Sequence, residues 1–334
     1  IHNQLMTAYN FTAFHQFEMA TVHHEINLYH YSYPPVTALV CIPFGLLPYP
    51  LAWFIWQTGG WLAFALALRR TGTSQWGLLA LAWPAVFVNA IGGQNGCWIA
   101  AIIGWALLEL SKRHSIRAGL LFSLMVVKPQ LGWIIPLALL SSREWKALAS
   151  MATGSAGLLL TSVFISGLRP WLAWHERLAI LRQVILEDGT GVMHRMISIF
   201  VLVRHASMSV VTAYAAQMVA TLIGITLLVL IWGKPVAFRW KATALIYAIL
   251  TTTPYVSDYD CVMLAFPCAW IWSTADSNDR LALGISALVP ITAAAIARGT
   301  GVPLAGLLLW GVYLWFARKI LLSGPNTAPV QKTA

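Results

Sequence analysis

Charged residues are scarce in this chain of 334 residues, at 10% of the total, whereas a soluble domain carries about 25%. This scarcity excludes an ordinary soluble enzyme, and the hydrophobic share of 59% excludes a disordered chain. The four cysteines lie in apolar stretches without metal-ligand spacing, which excludes a disulfide-stapled secreted module. Apolar runs of roughly 15–25 residues suit helices that cross about 30 Å of hydrocarbon. The sequence therefore predicts an all-α polytopic membrane protein.

Motifs of soluble enzymes are also absent. The sequence contains no Gly-rich phosphate loop, no His-Glu-x-x-His pattern and no nucleophile elbow. Histidines are frequent before position 31, but the adjacent His23 and His24 would point apart on a helix, which disfavours a metal site. No cofactor and no metal site are indicated, although the sequence does not exclude a divalent metal.

The net charge of +10 is distributed unevenly along the chain. Hydropathy predicts eleven membrane spans, at 51–68, 76–91, 96–110, 116–127, 131–141, 147–167, 208–232, 242–255, 260–275, 281–297 and 302–317. Fourteen of the 21 basic residues, but only four of the 11 acidic ones, then fall in alternate loops. By the positive-inside rule this face is cytoplasmic and includes the C-terminus. The basic excess thus indicates orientation in the membrane and no nucleic-acid partner.

Three segments differ from ordinary spans. Val36–Leu47 lies between two prolines and reaches only about 18 Å as a helix, so it is predicted to be a re-entrant or strongly tilted half-helix. The apolar stretches on either side of Lys128 are short, which places Lys128 at membrane depth, where it needs a water-filled cavity or an anion. Trp171–Leu186 is amphipathic and is predicted to be an interfacial helix, with an ordinary packing helix as the alternative.

Polar residues collect on the predicted external face. Lys128, Arg195 and Arg204 are cations that suit a phosphate. Asp258 and Asp260 are acids two positions apart, so at most one is expected to enter the site. Side chains suited to hydroxyl groups or to stacking are Tyr33, Gln94, Asn95, Gln130, Ser198, Tyr255 and Tyr259. Cations for phosphate, an acid for proton removal and amides for hydroxyls together suit a lipid-phosphate sugar.

These features also have structural alternatives. Gly92–Gly96 is typical of a tight turn, and Lys128 is compatible with an interfacial lysine whose stem reaches the headgroups. Asp258 and Asp260 are compatible with ordinary acids at the start of a helix, where acids are favoured.

Several motifs occur together in a characteristic order. The set comprises Tyr33-Pro34-Pro35, Leu47-Pro48, Gly93-Gln94-Asn95-Gly96, Lys128-Pro129-Gln130-Leu131-Gly132, Ser198-Ile199-Phe200, Thr253-Pro254-Tyr255 and Tyr259-Asp260. In this respect nearly the whole chain resembles glycosyltransferase family 87, membrane enzymes of the GT-C type. The resemblance implies a multi-span helical bundle in the bacterial inner membrane, with an interfacial helix in an external loop. It further implies inverting transfer of a hexose, often mannose, from a polyprenyl-phosphate donor on the periplasmic face.

We expect Lys128 to bind the donor phosphate with assistance from Arg195, and the amides and tyrosines to orient the sugar. A lipid or glycan is the expected acceptor. Asp260 is the best candidate acid within the chain, as a base or as a supporting carboxylate. The resemblance also implies a catalytic aspartate upstream of Ile1, and Asn10 stands where such relatives usually have aspartate.

Three regions are predicted. Residues 1–33 form an external N-terminal arm that is the remnant of a first external loop, residues 34–321 form the transmembrane domain, and residues 322–334 form a disordered cytoplasmic tail. The alternative function is a transporter or flippase for a lipid-linked or small polar solute. That class favours paired inverted repeats, and no convincing repeat relates the two halves of this sequence.

Overall fold

The computed structural model describes residues 2–26, 30–189 and 193–322, and these ranges contain helices and no strand. The α-helices are α1 (His2–Ala8), α2 (Phe11–Val22), α3 (Val36–Cys41), α4 (Tyr49–Arg70), α5 (Trp76–Ala82), α6 (Pro84–Ile91), α7 (Gly96–Ser111), α8 (Ser115–Ser123), α9 (Pro129–Gly132), α10 (Ile135–Ser141), α11 (Trp145–Ser166), α12 (Arg169–Leu181), α13 (Ile199–His205), α14 (Val210–Gly233), α15 (Phe238–Thr251), α16 (Ala265–Ile271), α17 (Ser277–Thr300) and α18 (Ala305–Leu322). Tighter turns of 3₁₀-helix occupy Phe44–Leu46, Leu124–Val127, Met193–Arg195, Asp258–Leu264 and Trp272–Thr274, and a π-helix occupies Arg182–Glu187. The prediction of an all-α membrane protein is confirmed.

Within these ranges five helices are long and apolar enough to cross a membrane, namely α4, α11, α14, α17 and α18. The other six predicted spans form shorter or interrupted helices. Proline is one cause, because Pro84 begins α6 and holds Trp83 in an extended conformation, which divides 76–91 into two helices. Hydropathy counts apolar residues and does not register such breaks in the backbone hydrogen bonds. The eleven predicted spans therefore correspond to five long helices and six shorter stretches.

Helices α7 and α15 form the centre of the bundle. Every residue from Ala242 to Thr251 of α15 is buried, and most of α7 is buried as well. Helices that are apolar on all sides are stable in such a position, since every face contacts other apolar side chains. Helix α11 lies at the periphery, with only 11% of its apolar window buried.

Glycines permit the closest helix contacts. A Cβ atom at Gly119 of α8 would overlap the Ser150 hydroxyl and the Ala147 carbonyl oxygen of α11. A Cβ atom at Gly104 of α7 would overlap the ring of Phe266. Small residues at these positions let the helices approach closely, as is usual for helices packed in membranes.

The segment Val36–Leu47 forms the six-residue helix α3 followed by one 3₁₀ turn. At 1.5 Å per residue α3 is far too short to span a membrane. The Thr37 hydroxyl donates a hydrogen bond to the Val127 carbonyl at 3.4 Å. This contact places α3 beside the turn that carries Lys128.

The N-terminal arm folds into α1 and α2 and contacts the bundle. Asn10 caps α2, since its side-chain oxygen accepts a hydrogen bond from the Ala13 amide at 3.1 Å. The Tyr9 hydroxyl donates to the Tyr33 carbonyl at 2.9 Å. The predicted tail from residue 323 onward lies outside the described residues.

Helix α12 covers one side of this region. The Trp174 indole donates to the Ser32 carbonyl at 3.2 Å, and Leu181 is buried, whereas Leu172 is 63% exposed. The predicted amphipathic helix is thus packed on the protein along one face. Its position in a membrane interface stays a prediction.

Basic residues gather at one end of the bundle, which we call the basic end. Two neighbouring cavities there are lined by Arg70, Lys112, Arg113, Arg239 and Lys241. Helix α7 connects the two ends of the molecule, because Ser111 at its C-terminus lines both cavities and its N-terminus lies among the polar motifs described next.

Candidate functional site

Lys128 is buried at a break between two helical segments. The 3₁₀ turn Leu124–Val127 ends at Lys128, and Pro129 begins α9, so Lys128 itself takes a non-helical conformation. Its side chain is 2% exposed. Among the described lysines and arginines no other is buried, which marks the position as exceptional.

The ammonium group of Lys128 has three neighbours. Its Nζ atom lies 2.5 Å from Asp260 Oδ1 and 3.3 Å from Asn95 Oδ1. It also lies 4.5 Å from the centroid of the Tyr259 ring, within cation–π distance. The interfacial-lysine alternative is therefore wrong, because the charge is held inside the protein and does not reach outward.

Asn95 connects this ion pair to the N-terminal arm. While its side-chain oxygen accepts from Lys128, its Nδ2 atom donates to the Tyr33 hydroxyl at 3.1 Å. Tyr9 in turn donates to the Tyr33 carbonyl. Burial raises the pKa of the Tyr33 phenol, so Tyr33 stays neutral and keeps its hydroxyl proton at physiological pH.

Arg195 and Asp258 form a second ion pair. The Nε and Nη2 atoms of Arg195 donate to the two carboxylate oxygens of Asp258, both at 3.0 Å. This bidentate geometry is the strongest arrangement available to arginine and a carboxylate. Burial raises the pKa of Asp258, and the hydrogen bonds from Arg195 oppose that rise.

Both aspartates pair with a candidate site cation, Asp258 with Arg195 and Asp260 with Lys128. In the 3₁₀-helix that starts at Asp258, two positions of separation turn the side chains to different sides of the helix. Two cations approach from those sides, Lys128 from the turn before α9 and Arg195 from the long loop at residues 168–207. The Arg195 guanidinium lies 5.9 Å from the Tyr259 ring centroid, so the same ring adjoins both cations.

The backbone fixes the spacing of the two ion pairs. Met196 and Ser257 form an antiparallel bridge, and the Ile197 amide donates to the Val256 carbonyl at 3.1 Å. Asp260 Oδ2 accepts from the Ser257 amide at 3.1 Å and thereby caps its own helix. Because each of the four charged groups has a partner of opposite sign, the cluster is neutral overall.

The segment Gly92–Gly96 has two structural roles. Gly93 has φ +61°, which permits a tight turn, as the sequence alternative proposed. Gly96 serves close packing, because a Cβ atom there would overlap the Tyr259 carbonyl oxygen and lie 2.9 Å from Asn89 Oδ1. Gln94 is held through its backbone, since its carbonyl oxygen accepts from Gln57 Nε2 at 3.1 Å.

Two polar residues at the site were not predicted. Asn89 is 2% exposed, and its Nδ2 atom donates to Gln57 Oε1 at 3.0 Å. Asn89 Oδ1 also accepts from the Cys97 amide at 3.4 Å. Each of the two amides stands alone in an apolar helix, where a polar side chain is costly, and this is the signal by which they could have been found.

A cavity of about 270 Å³ lies next to the ion pairs. Three predicted substrate-binding residues line it, namely Tyr33, Gln130 and Tyr255. Its largely apolar wall comes from α12 and the π-helix that follows, with Trp174 and Leu186 among the lining residues and Arg182 as the charged side chain there. Phenol and amide groups opposite an apolar wall suit a ligand that is polar on one side only.

Ser198 and Arg204 lie apart from this cavity. The Ser198 hydroxyl accepts from the Val201 amide at 3.3 Å and so caps α13. Arg204 donates to the Met208 and Glu187 carbonyl oxygens at 2.6 and 2.8 Å and so closes the long loop. The structure thus places both in backbone contacts and brings neither to the ion pairs.

The described residues contain no group of three or more histidine, cysteine or acidic side chains that could hold a metal ion. A family model, glycosyltransferase family 87, matches residues 31–257. No curated protein and no solved structure matches the chain. The matched range includes Tyr33, Asn95, Lys128 and Arg195.

Proposed function

Because the chain belongs to glycosyltransferase family 87, we propose that this membrane glycosyltransferase moves a hexose from a polyprenyl-phosphate donor to a lipid or glycan acceptor. Mannose is the sugar proposed. The observation that carries the proposal is the cavity lined by Tyr33, Gln130 and Tyr255 near two ion pairs, of which Lys128–Asp260 is fully buried. The polar groups of this cavity suit sugar hydroxyls, and its apolar wall suits the lipid part of a donor.

In the proposed site the donor phosphate approaches from the side of Arg195. The Arg195 side chain is 27% exposed, whereas Lys128 is 2% exposed, so Arg195 is the more accessible cation. Lys128 adjoins the same Tyr259 ring, but it is buried and its charge is already compensated by Asp260. The direct phosphate contact thus belongs to Arg195 first and to Lys128 second.

In the proposed reaction the acceptor hydroxyl gives its proton to a base, and its oxygen forms a bond with the anomeric carbon of the sugar. The bond between that carbon and the phosphate oxygen breaks, with inversion at the anomeric centre. Asp260 already uses both oxygens, one on Lys128 and one on the Ser257 amide. This engagement favours Asp260 as a supporting carboxylate that positions Lys128 over Asp260 as the base itself.

The remaining site residues have positioning roles in this proposal. Asn95 is hydrogen-bonded to both Lys128 and the Tyr33 hydroxyl and so fixes their relative positions. The turn at Gln94 precedes the start of α7. Tyr259 places its ring beside both cations. Ser198 fixes α13, which follows the loop that carries Arg195.

We propose that the site faces the periplasm of a bacterium, with the protein in the inner membrane. Support comes from the basic end, which lies opposite the site and would be cytoplasmic under the positive-inside rule. The C-terminus and the proposed tail would then be cytoplasmic, and the arm at residues 1–33 would be external.

The test uses the protein purified in detergent and a radiolabelled polyprenyl-phosphate hexose. We expect labelled product without any membrane gradient, which distinguishes an enzyme from a transporter. Lys128→Ala and Asp260→Asn should each reduce transfer, and Lys146→Ala, which removes an exposed lysine elsewhere, serves as the control. Wild-type transfer by both site variants would overturn the site assignment. Transfer from a nucleotide sugar but not from the polyprenyl-phosphate hexose would overturn the proposed donor class.

A further inference from the structure

We propose that a cavity at the basic end binds the phosphate headgroup of an anionic phospholipid. The cavity has a volume of about 510 Å³ and lies between the C-termini of α4 and α7 and the N-terminus of α15. Three cations line it, Arg70, Lys112 and Arg239. The 16 residues of α7 separate it from the candidate catalytic site by roughly 24 Å, so it is a separate site.

The charge in this cavity is uncompensated. No carboxylate lines it, and in the described part of the chain none of the three cations donates a side-chain hydrogen bond or forms an ion pair. Nearby cations behave differently, because Arg113 pairs with Glu144 and Lys319 pairs with Asp276 and Asp279. Three cations without a carboxylate beside them make this cavity electropositive, which favours an anion there.

Helix ends explain two of these cations but not the third. Arg70 and Lys112 lie at the C-termini of α4 and α7, where the helix dipole favours positive charge. Arg239 is the second residue of α15, where the dipole disfavours it. An anion in the cavity would remove this conflict, because it would interact favourably with both the arginine and the helix N-terminus.

The N-terminus of α15 is itself open to an anion. Ala237 precedes the helix and offers no side-chain cap, so the first amide groups of α15 lack the partner that a serine or aspartate would supply. Ala237, Phe238 and Arg239 all line the cavity. The Arg239 Nε atom is buried and has no hydrogen-bond partner in the described structure. Uncapped amides beside an unsatisfied guanidinium nitrogen form a binding environment for phosphate.

A lipid headgroup fits this cavity better than a free phosphate. The remaining walls include the apolar side chains of Leu107, Leu108 and Trp270. The volume is within the range of pockets for small organic molecules and exceeds what one phosphate fills. Basic cavities between membrane helices at a cytoplasmic surface are typical sites for anionic headgroups.

The test is native mass spectrometry of the full chain purified in detergent, titrated with phosphatidylglycerol or phosphatidylcholine. We expect phosphatidylglycerol to bind more tightly, and the triple variant Arg70→Gln/Lys112→Gln/Arg239→Gln to weaken it at least about tenfold. The matched control is Arg143→Gln/Lys146→Gln/Arg318→Gln, which removes three exposed charges predicted to lie on the same face and leaves the cavity unchanged. The control should retain the preference for phosphatidylglycerol.

Two further measurements test lipid binding if the triple variant unfolds. The single variant Arg239→Gln should weaken phosphatidylglycerol binding at an unchanged unfolding temperature in lipid-free detergent. That side chain forms no ion pair among the described residues, and its guanidinium lies 6.0 Å from the Trp240 ring, at the limit of cation–π distance. Glycerol phosphate is added as a soluble competitor, and weak competition is expected. Equal effects of the cavity and control triple variants would overturn the proposal, and so would soluble phosphate binding as tightly as the lipid.

Discussion

Lys128 and Asp260 lie 132 residues apart in the sequence and 2.5 Å apart in the structure, and both side chains are buried. A buried ion pair is strongly destabilised when only one partner is removed, since the other charge then remains without compensation. We expect Lys128→Met to lower the free energy of unfolding by about 3–5 kcal/mol. The double variant Lys128→Met/Asp260→Leu should recover most of this loss.

Reversible unfolding in mixed micelles measures these free energies. Lys146→Met is the control for loss of a lysine, because Lys146 is exposed and lies far from the site. A double variant as unstable as Lys128→Met alone would show that the two residues are not energetically paired.

The rate of sugar transfer should depend on the geometry of the Arg195 side chain as well as on its charge. Arg195→Gln removes both hydrogen bonds to Asp258, and Arg195→Lys keeps the charge but cannot make the bidentate contact. We expect kcat/KM to fall about tenfold to hundredfold in the glutamine variant and by a smaller factor in the lysine variant. Arg169→Gln removes an exposed arginine from the same long loop and should leave the rate unchanged. Equal rates for Arg195→Gln and Arg169→Gln would contradict the assignment.

Gly96 should tolerate no side chain. In Gly96→Ala the new methyl group meets the Tyr259 carbonyl oxygen, which is backbone and cannot rotate away, so both stability and activity should fall. Gly157→Ala is the matched control, since nothing lies within 4 Å of a Cβ atom there. Alanine at Gly157 should raise stability by up to about 1 kcal/mol through its helix propensity. Thermal unfolding of both variants measures the difference, and similar behaviour of the two would refute the packing argument.

Asp258 should give the stability a specific pH dependence. Burial raises its pKa in the folded protein, so the folded state binds the proton more tightly than the unfolded chain. The stabilising contribution of this group is therefore present at low pH and is lost as pH rises through the folded pKa. Relative to Asp258→Asn, the wild type should lose free energy of unfolding as pH rises above the ordinary carboxyl pKa of about 3.9. If the free energy of unfolding instead rises with pH, the hydrogen bonds from Arg195 affect the pKa of Asp258 more strongly than burial does.

The orientation is tested by cysteine labelling in intact cells. Among the four native cysteines Cys41 is exposed and the other three are buried, so Cys41→Ser is a suitable background. We expect Gly299→Cys to react with an impermeant maleimide, because that position is open and on the predicted external face. Ser142→Cys should react only after permeabilisation. The reverse pattern would invert the proposed topology.

Local sequence patterns predicted the position of Lys128 but not its partner. The short apolar flanks and Pro129 predict a charged turn between two short helical stretches, and the structure has this turn at Lys128, buried inside the protein. Lys128 and Asp260 were expected to have separate roles, because no periodicity relates residues that meet only through tertiary packing. Gln57 and Asn89 were missed for a related reason, since each is the single amide side chain in a largely apolar helix. The span prediction failed where proline divides a helix, as at Pro84.

The bridge between Met196 and Ser257 has a mechanical consequence. It fastens the loop that carries Arg195 to the segment that carries Asp258 and Asp260, so these parts are expected to shift as one rigid piece. A force on the loop, from an acceptor or from the surrounding lipid, would then be transmitted to both carboxylates and through Asp260 to Lys128. Access to the cavity and the arrangement of the neighbouring ion pairs would thus change together.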